Sequence, residues 1–132
     1  MVVIKTIDKA STLKTFAKVV ENYAEIQISK RVCRNQIPHV LEMLDTFEDD
    51  ANFYIVTKYV PSGNLLNYVV KHWRFTPVPE DTTRVILKQL VSAVKHLHER
   101  NIVHRDIKEA NVLVTTRSDQ LHVLLTDFGI AA

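Results

Sequence analysis

Asp106, Lys108 and Asn111 place a carboxylate, an amine and a carboxamide within six residues. Asp106 can accept the proton of an attacking hydroxyl. Lys108 can neutralise charge on a group in transfer, and the amide oxygen of Asn111 can hold a divalent metal. The three together suit the movement of a phosphoryl group, where positioning and charge neutralisation carry most of the catalysis. Apolar pairs flank them, Ile102-Val103 before and Val112-Leu113 after. That pattern predicts a polar loop held between two pieces of core.

A lone His-Arg-Asp tripeptide is more often a solvated loop. Here His104-Arg105-Asp106-Ile107-Lys108-Glu109-Ala110-Asn111 is followed, sixteen residues after Asn111, by Asp127-Phe128-Gly129. The pair, in this order and at this spacing, resembles the catalytic loop and D-F-G segment of eukaryotic-type protein kinases. Lys108 directly after Asp106-Ile107 is the pattern of the serine/threonine branch. Tyrosine kinases usually carry alanine or arginine there.

Composition sets the frame. The 132 residues are 46% hydrophobic and 24% charged, within the ordinary globular class. A net charge of +2 gives no argument for nucleic acid or an anionic membrane as partner. One cysteine, Cys33, excludes an internal disulfide and suits a reducing compartment. No apolar run approaches the ~20 residues of a membrane span, and no signal-peptide pattern opens the chain. A cytoplasmic or nuclear setting is the expectation.

Several elements must position the loop. Val2 to Lys5 is β-branched and predicts a strand ending in a lysine. Ser11 to Val32 predicts one helix, capped by Ser11 or Thr12, with Leu13, Phe16, Ala17, Val20, Ala24 and Ile28 along its buried stripe. Ile37-Pro38-His39 ends that helix. His39 reads as structural, because no second metal-type residue stands at useful spacing. Val40–Phe47 and Phe53–Val60 predict a hairpin around the turn formers 48–52. A helix through about Trp73 follows Pro61-Ser62-Gly63, and a second amphipathic helix spans Glu80 to about Arg100, with Ile86, Leu90, Val94 and Leu97 inward. Val112–Thr115 and Leu121–Leu125 predict two more strands, joined by a polar turn at 117–120.

The resemblance covers essentially the whole chain and implies an α+β, partial two-lobed kinase fold. Residues 1 to about 60 correspond to a small-lobe portion and hinge, and about 61–132 to the beginning of the large lobe through D-F-G. It implies ATP and Mg2+ as cofactors and a protein serine or threonine as acceptor. Lys5 would contact the ATP phosphates, Glu25 would orient Lys5, and Asp127 would join Asn111 on the metal. Thr57 would stand at the back of the adenine pocket, and Lys58 and Val60 would bond the adenine edge through backbone atoms. Asn64 would reach the ribose, and Leu113 would close the pocket from below. Two departures stand out: Val3 where alanine is usual, and Ser29 where a large apolar residue is usual.

No glycine-rich loop precedes Lys5 and no A-P-E motif follows Gly129, so the chain reads as a kinase domain truncated at both ends. On that reading it binds nucleotide weakly and transfers nothing by itself. A non-catalytic kinase-like binding module is the rival. A metal-dependent hydrolase using Asp106 and Asp127 explains those two residues but not Lys5, Glu25 or the hinge.

Overall fold

The computed structural model describes residues 1–12, 16–33, 35–117, 120–129 and 131. Two sheets and two long helices organise it. Strand β1 (Val2–Asp8) leads through the short helix α1 (Lys9–Thr12) to helix α2 (Phe16–Cys33). The hairpin β2 (Met43–Glu48) and β3 (Asn52–Lys58) follows, then helices α3 (Leu65–Trp73) and α4 (Glu80–His98). A 3-10 turn at Glu109–Asn111 opens onto β4 (Val112–Arg117) and β5 (Gln120–Leu125). This is an α+β chain, as the sequence implied. Among the described residues no helix is long and apolar enough to cross a membrane.

The first sheet is antiparallel in the order β1-β3-β2. Its register sets Lys5 opposite Ile55 and Val3 opposite Thr57, with Met43 on the other side of Thr57. The hairpin tip is organised by Asp49, whose carboxylate accepts the Ala51 and Asn52 N–H groups and the Tyr54 hydroxyl at 2.7–2.8 Å. That Asx geometry explains why the turn falls there. The second strand begins at Met43, three residues later than expected. Val40 instead makes an isolated parallel bridge to Leu125.

That bridge joins the two sheets. Leu125 N–H donates to the His39 carbonyl at 2.8 Å, and Leu41 N–H donates to the Leu125 carbonyl at 2.9 Å. His39 reaches this position with φ 58, in the left-handed region. Its ring lies 4.7 Å from that of His122, centroid to centroid. Burial, followed by the neighbouring His39 and Arg117 charges, pulls the His122 pKa below its ordinary value. The fold therefore favours neutral His122, and that contribution is present above pH ~6.5 and fades as pH falls and the unfolded imidazole takes a proton. Thermal melts between pH 7.5 and 5 should show a steeper loss of Tm in the parent than in His122→Asn.

Helix α2 corrects the sequence reading. Its inward positions are Glu25, Ile26, Ile28, Ser29 and Val32, whereas Ala17 and Val20 are exposed. Two polar residues sit on the buried face, so apolar periodicity pointed to the wrong stripe. Ser29 is 1% exposed and its Oγ has no hydrogen-bond partner among the described residues. Residue Leu13 and the side chains of Ser11, Thr12 and Phe16 lie outside the described residues, as does the 118–119 turn tip.

Helix α3 starts at Leu65 because Asn64 caps it: the Asn64 Oδ1 accepts the Asn67 N–H at 2.9 Å. Helix α4 turns Ile86, Ala93 and Leu97 into the core, with Leu90 and Val94 partly buried against it. Gln89, unremarked in the sequence, fastens α4 to the edge of β5. Its amide donates to the Leu121 carbonyl at 2.9 Å and accepts the Val123 N–H at 2.8 Å, as another strand would. Gln89→Leu leaves both backbone groups unpartnered and is expected to destabilise the chain by about 2–4 kcal/mol. Urea unfolding followed by circular dichroism measures it.

Candidate active site

The lysine that ends the apolar run of β1 is drawn to two carboxylates. Lys5 Nζ lies 2.5 Å from Glu25 Oε1 and 3.5 Å from Asp127 Oδ1. Glu25 is 5% exposed, so its charge is buried and the pair is not a surface accident. Burial works against the Lys5 charge, but the Glu25 hydrogen bond and charge, and then Asp127, outweigh it and hold its pKa above the ordinary value. A strand, a helix and the segment after β5 thus meet at one ammonium group.

The residues of the 104–111 loop form a second knot. Lys108 Nζ lies 2.8 Å from Asp106 Oδ2. The Asn111 amide donates to the Asp106 carbonyl and to Asp106 Oδ2, both at 2.9 Å. The hydrogen bond from Lys108, with that from Asn111 and the Lys108 charge, holds the Asp106 carboxyl below the usual carboxylate range. Lys108 is correspondingly raised, by Asp106 and then by the charge of Asp127. The Asn111 carbonyl ties the knot to the residue just past β5, accepting the Thr126 N–H at 2.9 Å.

His104 anchors this loop in a way its spacing did not reveal. It is 2% exposed, with Nε2 at 2.9 Å from the Thr126 carbonyl and its ring 5.1 Å from that of buried Phe128. Nδ1 accepts the Asp106 N–H at 3.3 Å, which assigns the ring hydrogen to Nε2. The loop and the D-F-G segment are therefore tied through one imidazole. Arg105 and Asp127, either side of this tie, have φ of 64 and 65. Such backbone costs roughly 1–2 kcal/mol for an arginine and is better tolerated by an aspartate. Arg105 also donates to the Ala131 carbonyl at 3.3 Å.

Asp127 and Asn111 supply hard oxygen donors of the kind Mg2+ takes when it keeps most of its waters. Asp127 Oδ1 is engaged by Lys5 and by the Gly129 N–H at 3.2 Å, so Oδ2 is the oxygen available to a cation. The Asn111 amide nitrogen faces Asp106, which turns attention to its Oδ1. Among the described residues no three His, Cys, Asp or Glu side chains converge on a metal position. The donor set fits an ion completed by water or phosphate. Gly129 is needed for this geometry: a Cβ there would lie 3.1 Å from Asp127 Oδ1 and 3.7 Å from Glu25 Oε2. Gly129→Ala should displace the Asp127 carboxylate and weaken cation binding severalfold with little change in Tm, read by Mn2+ titration and thermal melting.

The remaining candidates lie apart from this cluster. Thr57 sits mid-sheet between Val3 and Met43, and Lys58 pairs with Glu42 at 3.6 Å. The Val60 carbonyl accepts the Gly63 N–H at 3.4 Å in the turn before α3. Asn64, committed to its helix cap, bridges Leu113 on β4, and the Val114 N–H donates to the Gly63 carbonyl at 2.9 Å. The 63–64 turn and the start of β4 are thus held together by backbone. A hollow of about 870 Å3 is lined by Lys58, Val60, His39 and His122 and includes none of Lys5, Asp106 or Asp127.

The protein kinase domain family matches residues 1–132. The chain belongs to that family. It is 39% identical over 132 residues to the serine/threonine-protein kinase ULK3 of Xenopus laevis, covering 99% of this chain and 26% of that one. It is 36% identical over 108 residues to a calcium/calmodulin-dependent protein kinase of Metarhizium anisopliae, covering 82% and 27%. The corresponding protein of Emericella nidulans is 42% identical over 94 residues, covering 71% and 22%. The kinase chain described here spans about a quarter of the curated relatives it matches.

Proposed function

We propose that this chain carries the phosphate-contacting lysine, the catalytic loop and the metal-binding carboxylate of a protein serine/threonine kinase. The reading rests on the Lys5–Glu25 ion pair and its approach to Asp127 at 3.5 Å, a meeting of three segments far apart in sequence. Lys5, pre-oriented by Glu25, contacts the phosphates of ATP. Asp106 orients the serine or threonine hydroxyl of a protein substrate and takes its proton, while Lys108 offsets charge on the transferring group. Asp127 and Asn111 would hold Mg2+, which would supply charge neutralisation at the phosphates. Thr57, the Lys58 and Val60 backbone, Asn64 and Leu113 frame the adenosine. The name of the Xenopus relative, a serine/threonine-protein kinase, supports the acceptor class, as does Lys108.

Isothermal titration of the 132-residue chain with a non-hydrolysable ATP analogue tests the reading. Binding in the range of about 0.1–1 mM is expected with Mg2+ and not with EDTA. Lys5→Met should weaken it at least about tenfold. Absence of Mg2+-dependent binding up to several millimolar would favour the binding-module alternative instead.

A further inference from the structure

Helix α3 is apolar on two sides. Leu65 is buried and Tyr68 and Val69 pack against the core, while Leu66 and Val70, four residues apart and so adjacent on the surface, are each 48% exposed. Just past the helix, Phe75 is 89% exposed. Val70 and Phe75 line a shallow hollow of about 500 Å3 at the end of α3. One wall of it is stiff: the rings of Tyr68, His72 and Trp73 are mutually in contact, with centroids 4.2–5.7 Å apart. His72 Nδ1 is also tied to the Tyr68 carbonyl at 2.8 Å.

The charge around the hollow has one sign. Lys71, His72 and Arg74 belong to it, and the Arg74 guanidinium stands 5.3 Å from the Phe75 ring centroid. No Asp or Glu occurs between Tyr59 and Glu80, and Glu80 is itself paired with Arg84 at 2.6 Å. Basic residues in a last turn do offset a helix dipole. That role needs neither an aromatic ring left in water nor a ring wall beside it. Other exposed apolar helix residues, Val20 and Tyr23 on α2 and Leu87 and Val91 on α4, lie among charges of both signs.

We propose that the end of α3 docks an acidic protein segment bearing one large apolar side chain. The apolar anchor fills the hollow against Val70 and Phe75, and the segment's carboxylates meet Lys71 and Arg74. Aromatic and arginine side chains set in a rigid wall are the usual energetic centres of such contacts. The site is independent of Lys5, Asp106 and Asp127, and its fate does not depend on the kinase reading.

Trp73 is the chain's only tryptophan, so its emission reports on the hollow directly. The probe is a synthetic twelve-residue peptide of glutamates around a central phenylalanine, compared with the same peptide in lysines. Saturable change with the acidic peptide is expected, with Kd of about 10–100 μM, weakening as salt is raised. Phe75→Ala and Arg74→Glu, both at exposed positions, should each weaken it at least about tenfold with unchanged circular dichroism. Equal binding of the lysine peptide, no loss in either variant, or no saturable change at millimolar peptide would overturn the proposal. So would sedimentation showing a dimer that Phe75→Ala dissociates, which would assign the patch to a second copy.

Discussion

Asp106→Asn, in a polypeptide that carries this chain and phosphorylates a protein, is expected to lower kcat by about 10²–10⁴. Nucleotide affinity should stay within about a factor of two. Asp106 touches Lys108, Asn111 and the backbone of its own loop, and among the described residues it makes no ion pair with Lys5, the lysine read as holding the ATP phosphates. Its depressed pKa makes it a weak base, so orientation of the substrate hydroxyl carries much of the effect. Asparagine keeps the shape and, with its oxygen in the place of Oδ2, can still accept from both Lys108 and Asn111, but it lacks the charge and the basic oxygen that the substrate hydroxyl needs. Steady-state kinetics at saturating ATP, with binding measured separately, distinguish the outcomes. A kcat within about twofold of the parent would remove Asp106 from the reaction.

Asp127→Ala should abolish the Mg2+ dependence of nucleotide binding, the second large effect. A carboxylate is the strongest hard ligand in the cluster, and alanine leaves only the neutral Asn111 oxygen. Asn111→Ala should weaken Mg2+-dependent binding less for that reason. Its cost appears partly elsewhere, because it also releases Asp106. Titrations with and without Mg2+, in parent and both variants, give the ranking. Equal Mg2+ dependence in the parent and Asp127→Ala would place the cation elsewhere.

Much of this arrangement was legible from residue order alone. The two motifs, the lysine after the apolar run of the first strand and the hairpin with its Asp49 turn required only spacing and local chemistry, although that strand runs on to Asp8 and does not end at Lys5. Helix α2 was harder. Its buried face is chosen by what it meets, Lys5 on one side and the D-F-G segment on the other, and Glu25 and Ser29 therefore lie inward while Val20 faces water. No periodicity rule anticipates a buried face selected by an ion pair. Gln89 and His104 were illegible for a related reason. Each works by satisfying backbone groups more than twenty residues away, a relation that exists only once the strands are in register.

Ser29 gives the position of α2 a thermodynamic bias. With α2 docked, its hydroxyl is shut away from water with nothing to bond, a penalty of about 1–3 kcal/mol. Swinging the helix outward hydrates that hydroxyl and at the same time parts Glu25 from Lys5. Each 1.4 kcal/mol of the penalty shifts the ratio of docked to undocked molecules tenfold. A small polar residue one turn beyond Glu25 thus lowers the free-energy cost of parting that ion pair, where a large apolar side chain would raise it.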